Sequence, residues 1–417
     1  MDLSQSNVLL VIMRLDLHDP HPLHARIERE AVDIQLLDPD KVYHLLVGVL
    51  DPTQRTTSAP VTGIEISGPR LAKYNRVLQG FQRISEQFYS TDGFVNHPEL
   101  YTNEQQDKVL DAMRRIGRNI YDLFRGVRPV RDWLDQLFES SEMLSTRQRP
   151  IQPVTIITND FSVPWFWLNN DLDGPFLCEV CSLGLMQLSA AGRSGDAVQI
   201  HGCPDKRYEA LLINGSSNLP FAEEEINAIG EVLQGTSRGD LHHFEAQRAD
   251  RYEDIAGLYL KYPDEDQLNH FRIVHFSGHY SGKDLLLGGR PLPPHILYPL
   301  LKDSLLVLDG CSSARGLKAW TDIEGLTSVL INKGGALGCV VTALPVKHDP
   351  IVSKVFWEAF YRDLRRGTST IGQALVRARL ALREHFNAIG SPNPAWALYQ
   401  LIGSPAVHLC ENDDESV

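Results

Sequence analysis

The chain has 417 residues, 43% hydrophobic and 22% charged, with a formal net charge of −13. That length holds two or three domains with their own cores, and the acidic balance argues against nucleic acid as the main partner, because phosphate binding needs clustered Lys and Arg. Six cysteines do not make a disulfide framework over this length, which points to a cytoplasmic location. No apolar run is long enough to span a bilayer, so no membrane partner is expected. Val8-Leu-Leu-Val-Ile-Met13 is short and lacks both a basic flank and a cleavage site, so it is not read as a signal peptide.

In chain order, residues 7 to 15 alternate weakly and predict a strand. His18-Asp-Pro-His-Pro22 is a turn or loop. Asp33 to Leu37 and Val42 to Leu50 are candidate strands, residues 51 to 63 an exposed connection, and Leu71 to Phe88 a helix. Asn103 is placed to cap a helix whose apolar stripe runs through Val109, Met113, Ile116, Ile120 and Phe124. Val154 to Ile157 reads as a strand, and Trp165 and Trp167 as core residues on one face of another. Cys178, Cys181, His201 and Cys203 have zinc-like spacing, but the first pair lies in an apolar stretch and the second in a polar loop. No metal is expected there. His242-His243 reads as a loop or strand start.

A second α/β block opens at Ala210-Leu-Leu-Ile-Asn-Gly215, followed by a helix from Phe221 to Leu233. Strands are expected around Val274, Val307 and Leu337 to Leu344, and helices over Asp322 to Lys333, 350 to 366 and 369 to 386. This alternation predicts an α/β fold with a mostly parallel sheet and helices on both faces.

Two strand ends carry chemistry. Leu305-Leu-Val-Leu-Asp-Gly-Cys-Ser-Ser-Ala-Arg315 ends an apolar strand on Gly310 and Cys311, and Phe271-Arg-Ile-Val-His-Phe-Ser-Gly-His-Tyr280 ends another on Gly278 and His279. Clefts in parallel sheets open at the carboxyl ends of the strands, so a thiol and an imidazole there are a candidate nucleophile and base. His279 would assist thiolate formation and protonate the leaving amine. Backbone N–H groups at Gly278, Tyr280, Gly310 and Cys311 are oxyanion candidates. His275, inside its strand, reads as a supporting residue. Glu324 starts a helix or orders the loop beside the site. No Walker loop is present and no cofactor is expected.

The ordered set of motifs resembles the CHAT family, caspase-related cysteine proteases of clan CD. The set comprises Pro164-Trp165; Asn214-Gly215 with Leu219 to Glu225; His275-Phe-Ser-Gly-His279; Gly310-Cys-Ser-Ser-Ala314; Glu324-Gly325; Gly334-Gly-Ala336; Leu344 to Asp349; Pro394-Ala-Trp-Ala397; and Gly403-Ser-Pro405. It covers residues 110 to 410. The resemblance implies a caspase-like three-layer fold with a pseudo-protease half at 106–235 and a catalytic half at 236–417, after an α+β amino-terminal segment at 1–105. It further implies a cytoplasmic cysteine endopeptidase that cuts a protein substrate in cell death or defence. A pore-forming or toxin effector is one such substrate, and the amino-terminal segment would receive an activator. In metacaspases an aspartate matching Asp309 recognises Arg or Lys before the cut, and Asp349 lies in a loop resembling one that helps in separases. Both aspartates also have plain capping alternatives. The chain departs from the family at Tyr280, where glycine is usual, at Pro345, where tryptophan is usual, and in lacking tetratricopeptide repeats. Tyr280 leaves open a catalytically silent scaffold or sensor.

Overall fold

The computed structural model describes residues 8–16, 43–50, 62–89, 102–139, 151–158, 163–187, 207–215, 220–235, 240–262, 271–278, 284–309, 330–331, 333–344 and 350–409. Candidate strand Asp33 to Leu37, most of the Asp322 to Lys333 helix, His201 and Cys203 lie outside them. Two compact units divide the chain, the first mainly Met1–Gly192 and the second most of residues 193–417.

In the first unit, β1 (Val8–Asp16), β2 (Tyr43–Leu50) and β3 (Thr62–Ile66) precede three helices, α1 (Gly68–Tyr89), α2 (Asn103–Leu123) and α3 (Arg128–Glu139). Then come β4 (Pro153–Thr158), α4 (Leu177–Val180) and β5 (Ser182–Gln187). β1 pairs antiparallel with β2 and parallel with β4. The amino-terminal strands therefore extend the sheet begun by β4 and β5.

The cap of α2 is Thr102, one residue before the expected Asn103. Its side chain accepts from Gln105 N–H while Gln105 Oε1 accepts from Thr102 N–H, a reciprocal capping box. Trp165–Trp167 is a 3-10 turn, not the expected strand. Local bonds hold it: Trp167 N–H donates to Pro164 O at 3.0 Å and Leu168 N–H to Trp165 O at 3.1 Å. A side chain at Gly117 would collide with the Trp167 carbonyl, so glycine lets α2 lie against this turn. Both tryptophans are buried as expected, Trp167 edge-on to Phe81 and Trp165 beside Phe124. Cys178 and Cys181 are buried, and Cys181 Sγ donates to Leu177 O at 3.2 Å.

The second unit runs β6 (Arg207–Asn214), α5 (Pro220–Gln234), β7 (His243–Ala249), α6 (Tyr252–Lys261), β8 (Phe271–Ser277), β9 (Leu285–Leu287), β10 (Arg290–Leu292), α7 (Tyr298–Leu301) and β11 (Leu305–Asp309). It continues through β12 (Gly338–Thr342), α8 (Pro350–Val352), a π turn (Ser353–Trp357), α9 (Glu358–Arg365), α10 (Ile371–Ala388) and β13 (Tyr399–Gly403). The main sheet has the order β13-β12-β11-β8-β6-β7 and is parallel except where β13 meets β12. This pairing places β6 and α5 with the strands of the second unit, where the motif reading puts them in the first half.

β8, β11 and β12 are buried along their whole length. A parallel sheet with apolar runs buried on both faces is what the strand–helix alternation predicts. The β9–β10 hairpin turns on Gly288 and Gly289, both at positive φ. Leu-Leu-Leu-Gly-Gly-Arg-Pro-Leu carried that signal in the sequence. Arg365 fastens α5 by donating to the carbonyls of Val232 and Gly235 while pairing with buried Asp240. Among the described residues no helix is long and apolar enough to cross a membrane.

Candidate active site

Three neighbouring parallel strands end alike: β6 on Asn214-Gly215, β8 on Ser277-Gly278 and β11 on Asp309-Gly310. Asn214 and Asp309 both pair with Ser277, so the three polar residues form one transverse row on one face. All three are buried. The ladder continues one step beyond the strands. Gly215 N–H donates to Ser277 O at 2.7 Å, and Gly278 N–H donates to Asp309 O at 3.0 Å.

The second of these bonds matters most, because Gly278 immediately precedes His279 and Asp309 lies two positions before Cys311. The chain leaves β8 and β11 side by side just before the imidazole and the thiol. His279, Tyr280, Gly310, Cys311, Glu324 and Asp349 themselves lie outside the described residues. Glycine is required at these ends by space. A Cβ on Gly278 would stand 2.8 Å from Gly215 Cα, and one on Gly215 would stand 2.7 Å from Leu286 O.

One row further in, His275 is fully buried on the face that carries Asp309. Its Nε2 is 2.9 Å from Glu225 Oε1 on α5, and its Nδ1 is 2.7 Å from the Tyr361 hydroxyl on α9. A carboxylate facing Nε2 places the ring proton there and leaves Nδ1 to accept from Tyr361. The Trp357 indole stands edge-on to the imidazole at 5.1 Å. His275 thus sits in a hydrogen-bonded interior cluster.

Asp309 belongs to the same cluster. Its side chain is 4% exposed, and its Oδ2 accepts from Trp357 Nε1 at 2.6 Å. It also bonds Tyr399 and Glu225. Burial, and next the charge of Glu225, hold its carboxyl well above the usual carboxylate range. Two carboxyl groups in contact are stable when they share a proton, and Asp309, held above the carboxylate range, is the one of the pair that favours the neutral form. Burial, followed by the same two acids, also raises the Tyr361 phenol.

The proton on Asp309 links stability to pH. Its folded-state pKa lies above the unfolded one, so its contribution is full below the ordinary value of 3.8 and is lost as pH rises through the folded value. The melting temperature of the wild type is therefore expected to fall, relative to Asp309→Asn, as pH climbs above about 4. Asparagine keeps an acceptor for Trp357 and a donor for Glu225. Parallel melting curves that do not diverge with pH would refute the shared proton.

Sequence reasoning missed Glu225, Trp357, Tyr361 and Tyr399. A signal for Glu225 existed. It falls within the stripe Ala222, Ile226, Ile229, Leu233 that α5 buries, whereas Glu223 and Glu224 are exposed. An acid in an apolar stripe requires a buried partner.

Among solved structures, the chain is similar to the Arg-specific cysteine proteinase gingipain R, at 10% identity and a TM-score of 0.41, over 66% of this chain and 68% of that one. No curated protein matches it at a significant level. The family model described as the CHAT domain matches residues 114–404, more than half of the chain, which belongs to the CHAT-domain family.

Proposed function

We propose that the chain is a cysteine endopeptidase in which Cys311 is the nucleophile and His279 the base. The observation that carries this reading is the Gly278 N–H to Asp309 O bond, which aligns the two strand ends directly before those residues. His279 takes the thiol proton, the thiolate attacks the scissile carbonyl, and backbone N–H groups at Tyr280, Gly310 and Cys311 receive the oxyanion; Gly278, an oxyanion candidate in the sequence, has its N–H already committed to Asp309 O. His279 then protonates the leaving amine, and water hydrolyses the acyl-enzyme. The substrate is a protein cut after Arg or Lys, with Asp309 and Asp349 as the acids that read that side chain. Regulated proteolysis in the cytoplasm, in cell death or defence, is the setting that suits a site-selective enzyme of this family.

Mapping of new protein amino termini in a lysate, with wild-type protein or Cys311→Ala, tests the reading. Termini after Arg or Lys that require Cys311 support it in full. Termini after Asp keep the peptidase and reject the acidic pocket. A second reading, a silent scaffold, rests on Tyr280 in the usual glycine position. It requires Cys311→Ala to retain the biological activity of the wild type.

A further inference from the structure

One carboxylate reaches both strands that lead to the proposed dyad. Glu225 on α5 bonds His275 on β8 through Oε1, and it bonds Asp309 on β11. It is 1% exposed, so neither bond competes with water. The far side of the cluster is equally fixed. Tyr361 holds His275, and Trp357 holds Asp309 from the π turn that leads into α9. π turns insert an extra residue into a helix and re-aim its side chains, and here Trp357 and Tyr361 both face the cluster.

We propose that Glu225 is a positioning residue for peptide hydrolysis: by bridging β8 and β11 it sets the spacing of the two strand ends that carry His279 and Cys311. The proposal rests on the assignment of that pair as the catalytic dyad. It goes beyond that assignment because Glu225 lies on a helix beneath the sheet and has no place in the reaction itself. Among the described residues, the titratable groups facing Glu225 are His275, Asp309 and Tyr361. Asp309 is also met by Trp357 and Tyr399, and the Tyr399 carbonyl is occupied by the buried Arg379 guanidinium. With a single proton between Glu225 and Asp309 the bridge is closed. Once that proton is lost, two adjacent anions repel each other and the bridge opens.

The test compares Glu225→Ala and Glu225→Gln with wild type, as kcat and KM for a peptide substrate across pH, beside an infrared measurement of protonated carboxyl at neutral pH. Alanine is expected to lower kcat about 10-fold or more with little change in KM, because a small misplacement of reacting groups is costly. Glutamine keeps an acceptor for His275 and donates its amide to ionised Asp309. It is therefore expected to restore kcat at neutral pH, to extend the alkaline limb of the pH profile, and to remove the protonated-carboxyl band.

A kcat unchanged in Glu225→Ala would overturn the proposal, as would a Glu225→Gln enzyme that tracks alanine at every pH. Wild-type hydrolysis that persists in Cys311→Ala would instead overturn the dyad assignment. The infrared band reads the Glu225–Asp309 bridge without reference to activity, so the two failures are distinguishable.

Discussion

Cys311→Ala is expected to reduce peptide hydrolysis by about 10³-fold or more, the largest effect of any single substitution in the chain. The thiolate supplies the electron pair that forms the acyl-enzyme, and a methyl group offers nothing in its place. His279→Ala should fall to a similar level, because without the imidazole the thiol is mostly protonated at neutral pH. The two losses should not add, since residues that act as one unit fail together. A double variant no slower than either single one is the signature of a dyad. If His279→Ala retains most of the activity while Cys311→Ala does not, the base lies elsewhere. His275 is not a ready substitute, because both of its ring nitrogens are engaged in the interior. Melting curves of each variant separate loss of chemistry from loss of fold. Among the described residues, Cys178, Cys181 and Cys339 are all buried, so rapid alkylation of the native protein would be expected elsewhere in the chain.

The parts of this site that could be read in the sequence are those set by local chain chemistry. An apolar run followed by a polar residue and glycine marks the carboxyl end of a buried strand, and three such endings stand at Asn214-Gly215, Ser277-Gly278 and Asp309-Gly310. The strand–helix alternation then fixes a parallel sheet. What could not be read depends on which helix face arrives over which strand. Glu225, Trp357 and Tyr361 converge on His275 and Asp309 from positions 48 to 86 residues away in sequence. Neither propensity nor spacing encodes that meeting. The same holds for β1, whose alternation predicts a strand but not its place between β2 and β4. Trp165-Phe-Trp167 misled in the other direction. Its apolar run suits a strand, but contact with Gly117 and the bond from Asn169 Nδ2 to Arg114 O at 3.0 Å hold that region against α2 instead.

Gly278→Ala is expected to disable the enzyme more than it destabilises it. Gly278 is not at positive φ, so the strain would come from space and not from backbone conformation. The added Cβ would lie 2.8 Å from Gly215 Cα, 3.1 Å from Gly215 C and 3.2 Å from Phe276 Cζ. The ring can turn aside, but the Gly215 backbone is held by its own bond to Ser277 O and by Gly288 N–H donating to Gly215 O at 3.3 Å. The end of β8 must therefore shift away from that of β6 by a fraction of an ångström, at a cost of about 1–3 kcal/mol for overpacking. For a unit of this size that lowers Tm by roughly 2–4 °C per kcal/mol. That shift of β8 moves His279 relative to Cys311 beyond β11, and displacement on that scale costs kcat up to about 10²-fold. Gly257→Ala is the matched control. It lies within α6 with nothing within 4 Å of an added Cβ, so it should stabilise by about 0.5–1 kcal/mol and leave kcat unchanged. Adding Phe276→Leu to Gly278→Ala should not restore activity, because the closest obstacle is backbone. Full rescue by that second change would show that the ring, and not the alignment of the two strand ends, sets the glycine requirement.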